Sequence, residues 1–199
     1  MDIKLKINIR IIFSIVVAGV LLLIYGCSPS RILATGGGTA MVVAEGDRSL
    51  GAVVDDATIK INVAAKFLNA GNNLFVDINT TVLEGRVLLT GLVDNQELRI
   101  EAVRLVWEIE GVREVINEIE IGNRESIKDY AKDLWINTQA RGVAAKTIGL
   151  RAVAYNFETI NGKIYIAGIT TKPDQLGILI ESLKTIKGAK EIINYVIIK

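Results

Sequence analysis

The sequence predicts an α+β protein of two tandem αββαβ units, each a small three-stranded sheet with helices packed on one face. Three observations predict it. Displacing the chain by 77 positions lays Gly85 on Gly162, Gly91 on Gly168 and Gly111 on Gly188 without a gap. The same displacement matches Asp56 with Asp133, Ile59 with Ile136, Ile109 with Ile186, Glu114 with Glu191, Ile116 with Ile193 and Asn117 with Asn194, the mark of an internal repeat. In each copy apolar residues recur first at helical spacing and then in β-rich runs. Each β-rich stretch is broken by a dipeptide suited to a tight hairpin, "EG" in one copy and "NG" in the other.

The elements follow in order. Ile59, Val63 and Phe67 mark one face of a first helix, and Ile136, Ala140, Val143 and Ala144 mark its counterpart. Then come "VDINTTVLEGRVLLTGLV" and "VAYNFETINGKIYIAGIT", each two strands about its turn. A second helix carries Leu98, Ala102, Leu105 and Ile109 in one copy and Leu176, Leu179, Leu183 and Ile186 in the other; Thr171 and Pro173 suit the start of the latter. Gly111 and Gly188 suit the left-handed backbone that follows a helix, and "REVINEIEI" and "KEIINYVII" are the closing strands. Gly91 and Gly168, at the ends of the second strands, are assigned a structural role, where a side chain would block a close neighbour.

The composition narrows the chemistry. Half of the 199 residues are hydrophobic, enough for packed cores. There is no histidine and a single cysteine, so the commonest general base and thiolate metal clusters are missing. No nucleophile stands beside a base, and no metal set or phosphate loop is present; the expectation is a protein that is not an enzyme and uses no cofactor.

The cysteine follows an export-type leader. Lys4, Lys6 and Arg10 precede an apolar run at 11–24 that is shorter than a membrane span, and Gly26 stands directly before Cys27. "LIYGC" resembles a bacterial lipobox, which implies that Cys27 is lipidated and becomes the mature N-terminus, and Ser28 after it implies the outer membrane. The expected organisation is a signal peptide at 1–26, a lipidated cysteine and flexible, glycine-rich tether at 27–54, and folded units at 55–124 and 125–199.

Trp135 and the distribution of charge suggest where such a protein acts. The 77-residue offset pairs Trp135 with Thr58 and its neighbour Ile136 with core-facing Ile59, so the indole is expected to be exposed. An indole suits the boundary between acyl chains and headgroups, and equally a contact between domains. Trp107 is expected to be half-buried packing. Residues 55–125 hold 7 basic against 13 acidic side chains, a net of −6, whereas 126–199 hold 11 against 6, a net of +5. Either the basic second unit faces anionic headgroups, with Lys132, Arg141, Lys146 and Arg151 near Trp135, or the two units attract each other, or the charges are a solvated surface. Nucleic acid is not expected as a partner, given the export signal and the lack of an aromatic platform for bases.

Together, the αββαβ repeat, the strand-end glycines of "VLLTG" and "IYIAG", and the endings "GVREVINEI" and "GAKEIINYV" resemble BON domains. The cysteine-anchored tether, "RSLGAVVDD" and the two copies resemble the dual-BON outer-membrane lipoproteins over residues 48–199. That resemblance implies a non-enzymatic lipoprotein on the periplasmic face of the outer membrane, whose second BON domain binds anionic phospholipid and whose loss makes the envelope leaky. It also implies that Trp135, in "WINTQ", inserts among the acyl chains, with Gln139 where the family carries a basic residue. The alternative is a periplasmic adaptor that docks a barrel-assembly or division-site protein through the acidic first domain.

Overall fold

The computed structural model describes residues 50–122 and 127–199. Residues 1–49, with the expected leader, Cys27 and most of the tether expected at 27–54, and the expected boundary at 124/125 lie outside the described residues; Leu50–Val54, expected as the end of the tether, are instead the opening of a helix. The described residues belong to a single compact body.

Helix α1 (Leu50–Ala70) forms because Ile59, Val63 and Phe67 recur at about one turn and fill one face. A one-turn helix α2 (Leu74–Asp77) follows, then the hairpin β1 (Ile78–Leu83) and β2 (Arg86–Val93). Helix α3 (Gln96–Trp107) leads to β3 (Glu114–Ile121). The second copy repeats the plan with α4 (Ile127–Ile148), a 3-10 turn at Gly149–Ala154, β4 (Tyr155–Ile160), β5 (Lys163–Thr170), α5 (Pro173–Lys184) and β6 (Glu191–Ile198). In each sheet the central strand pairs antiparallel with its hairpin mate and parallel with the closing strand. The expected α+β class with two tandem αββαβ units is what the chain adopts.

Two short elements depart from the expected order. The first hairpin was expected to begin at Val76, but Leu74–Asp77 is helical, entered through Asn73 in the left-handed region and pinned by fully buried Leu74. The 3-10 turn occupies the equivalent place in the second copy.

The turns use the predicted dipeptides. Glu84 and Gly85 have φ of 54° and 76°, Asn161 and Gly162 of 51° and 80°, the double left-handed pattern that matches strand twist. A carboxylate from the first helix of each unit clamps its turn. Asp56 accepts the amides of Glu84 at 2.8 Å and Gly85 at 2.9 Å; Asp133 accepts those of Asn161 and Gly162, both at 2.8 Å. The match of Asp56 with Asp133 is thus a repeated clamp.

Each unit has its own core. Ile59, Val63, Phe67, Val87, Leu89, Val93, Ala102, Val106 and Ile119 belong to the first; Ile136, Ala140, Phe157, Ile164, Ile166, Leu179 and Leu183 belong to the second. The helices supply one side of each core, and alternate strand residues supply the other.

The opposite sheet faces are also covered, because the two sheets stack on each other. Leu83, Leu88 and Ile116 of the first unit cluster with Ala167, Tyr195 and Ile197 of the second. This explains why residues 87–93 are buried without alternation. Polar contacts rim the seam. The Tyr195 hydroxyl donates to Glu118 and Lys199 pairs with Glu84. Asn161 Nδ2 donates to Glu120 Oε2 at 2.6 Å, and Lys163 Nζ lies 2.9 Å from Glu120 Oε1. Glu118 and Tyr195 are themselves equivalents in the repeat, 77 residues apart. A residue that touches its own counterpart lies on a local two-fold axis, and β1 meets β5 as β2 meets β4. Every clustered residue of both cores and the seam lies between Ile59 and Ile197, so residues 50–199 contain all that these cores need.

Candidate functional site

Helix α4 turns Ile136, Ala140 and Ala144 inward, each fully buried. At 3.6 residues per turn, that core direction lies about 140° around the helix from Trp135. Trp135 is accordingly 49% exposed, beside Leu134 at 54% and Tyr130 at 51%. Ala131 and Thr138 lie between Trp135 and Leu134 on the helical wheel. The Thr138 hydroxyl donates back to the Leu134 carbonyl at 2.8 Å, which leaves this strip with a satisfied hydroxyl.

The expected cations divide. Lys132 and Lys146 fall within about 60° of Trp135 on one side of the helix, and both are exposed. Lys128 joins them; it went unnoticed in the sequence, although its spacing of seven residues from Trp135 is two helical turns. Arg141 falls about 120° away on the other side, where its Nη2 donates to the Phe157 carbonyl at 3.1 Å. Arg151 stands in the 3-10 turn and donates from Nη1 to Gln175 Oε1 at 3.2 Å. The structure therefore brings Lys132 and Lys146 to the Trp135 face and ties Arg141 and Arg151 to neighbouring backbone and side chain.

Beyond Leu134 the helix borders a cleft of about 170 Å³ lined by Val76, Asn79, Tyr130, Leu134, Asn137, Glu158 and Thr159 among others. Burial raises the Glu158 carboxyl above the usual range, against the pull of Arg141 and Lys60. Asp133 also lines the cleft, but its two oxygens serve the turn amides.

Gly91 and Gly168 lie in β2 and β5. A Cβ on Gly91, whose φ is 149°, would stand 2.1 Å from the Asp77 carbonyl oxygen; on Gly168 it would stand 2.8 Å from that of Ala154. Trp107, expected to be half-buried, is 52% exposed at the end of α3, because Val106 and Leu105 take the inward positions there. Cys27 lies outside the described residues. Among the described residues no cluster of histidine, cysteine, aspartate or glutamate could hold a metal, and no helix is long and apolar enough to cross a membrane.

The BON domain family model matches residues 55–123, the first unit. A protein of Anaplasma centrale described as an uncharacterized protein in the gshII 5' region is 36% identical over 147 residues, covering 73% of this chain and 96% of that one. The chain belongs to the BON-domain family. Its second BON unit repeats the first in topology and strand register. Outer membrane lipoprotein DolP of Haemophilus influenzae is 28% identical to this BON protein over 179 residues, covering 89% of this chain and 91% of the relative. Osmotically-inducible protein Y of Escherichia coli is 26% identical over 149 residues, 73% of either chain.

Proposed function

We propose that this BON protein is a non-enzymatic envelope lipoprotein, anchored through Cys27 at the periplasmic face of the outer membrane. Its second BON domain binds anionic phospholipid and so supports outer-membrane integrity. The observation that carries this reading is the outward side of α4, where exposed Trp135 and Leu134 run beside Lys128, Lys132 and Lys146. Apolar side chains at interfacial depth next to ammonium groups match a bilayer surface, and each lysine near anionic headgroups contributes about 1 kcal/mol. The similarity to a relative named an outer membrane lipoprotein supports the same compartment.

The test uses the fragment 28–199 carrying Trp107→Phe, so that Trp135 alone reports. Its emission is expected to shift to the blue on titration with vesicles containing anionic lipid, and much less with zwitterionic ones. An emission maximum unmoved by anionic vesicles would remove the lipid reading.

The adaptor reading retains one specific support. Val54, Ile61 and Leu68, spaced by seven residues, stand 63%, 68% and 58% exposed on the side of α1 opposite the first core. Against docking through acidic charge, Glu84, Glu118 and Glu120 of the first unit are engaged by the second.

A further inference from the structure

Helix α2 carries apolar side chains that neither core takes up. Leu74 fills the interior, and its two successors are exposed, Phe75 at 48% and Val76 at 75%. Val76 belongs to the first unit, yet it lines the same cleft as Tyr130 and Leu134 of the second. Across the surface of α4, Lys128, Lys132 and Lys146 occupy one flank, Trp135 and Leu134 the middle, and Tyr130 and then Val76 the other flank. The lysines thus border the apolar strip on one side only, and on the other it continues onto the first unit.

We propose that α2 of the first unit is a second lipid contact, with Val76 entering the same anionic bilayer surface as Trp135 and Leu134. The proposal rests on the lipid reading of the Trp135 face and extends it to both units. Two features commit this strip to a bilayer. It is continuous with the Trp135 face, and that face carries three lysines complementary to anionic headgroups. The acidic groups of the cleft do not oppose this, since Asp133 is held by the Asn161 and Gly162 amides and Glu158 lies in the field of Arg141. Because the two sheets are stacked through a shared apolar seam, both contacts are presented together.

The fragment 28–199 lacks Cys27, so Val76→Cys supplies a unique thiol for an environment-sensitive nitrobenzoxadiazole label. On vesicles containing anionic lipid the label is expected to brighten and shift to the blue over the same lipid concentrations as Trp135. Val76→Asp, at a side chain outside both cores, is expected to weaken vesicle binding about fivefold to tenfold with an unchanged melting temperature. If Trp135 responds while the label at position 76 stays as in buffer and Val76→Asp binds normally, the proposal falls and the Trp135 reading stands. If neither responds, both fall. An equal response from a label at exposed Ile100 in α3 would also overturn it, because the probes would then report vesicles without regard to surface.

Discussion

Gly91 shows what a single residue contributes. Its positive φ and the 2.1 Å approach that a Cβ would make to the Asp77 carbonyl are two independent obstacles, one to backbone conformation and one to packing. Gly168 meets a looser 2.8 Å obstacle without the positive φ. Gly91→Ala is therefore expected to destabilise the protein by roughly 3 kcal/mol or more and Gly168→Ala by less, as urea unfolding of fragment 28–199 would read. The repeat made both glycines visible in the sequence. The asymmetry between them was not visible, because the obstructing carbonyl at Gly91 belongs to α2, a helical turn hidden inside an apparent strand. Asp56 and Asp133 were likewise legible as a matched pair, whereas their work as turn clamps requires a helix and a hairpin 28 residues apart to meet.

At the scale of the element, α4 separates nearness in sequence from nearness on a surface. The apolar spacing fixed its inward face, and the offset from Thr58 turned Trp135 outward. Proximity along the chain groups Arg141 with Trp135 and omits Lys128; angular position puts Lys128 beside Trp135 and Arg141 beyond Leu134. Lys132→Glu combined with Lys146→Glu is expected to weaken binding to anionic vesicles by tenfold or more, following about 1 kcal/mol for each charge removed. Arg141→Gln is expected to weaken it less, since that guanidinium is held at the Phe157 carbonyl on the far side of Leu134. Co-sedimentation at low and moderate salt would compare them, and equal losses would dissolve the distinction between the two flanks. Trp107 is the reverse lesson: an apolar residue at the end of a helix read as packing because its neighbours pack, yet the last turn of α3 carries it outward.

For the whole molecule, the decisive feature is the stacking of two sheets. The split of charge was legible, and its reading as mutual attraction accounts for Glu84 and Glu120 facing Lys199 and Lys163. The stacking itself left only one trace, the unbroken apolar run of β2, which a strand covered on both faces requires. The seam should respond to alkali. Burial, with help from Glu118, pushes the Tyr195 phenol up from 10.0 to about 12. A group raised on folding contributes stability that is complete below its unfolded value and is lost as pH climbs through its folded one. Unfolding free energy should thus fall between pH 10 and 12, and Tyr195→Phe should lessen that fall, the buried Tyr165 phenol, also pushed up, supplying the rest, at a cost of about 1 kcal/mol near neutrality. An unchanged alkaline limb in the variant would assign the loss to other groups.

The local axis through Glu118 and Tyr195 carries a further meaning. Two identical subunits meeting in this way would oppose glutamate to glutamate or tyrosine to tyrosine, and paired carboxylates at such range cannot both ionise. Joining the copies on one polypeptide frees each side of the axis to drift separately, so that a donor can stand against an acceptor. The same freedom lets one half keep a basic, tryptophan-bearing helix while the other holds an acidic surface, a division of labour closed to any symmetric dimer.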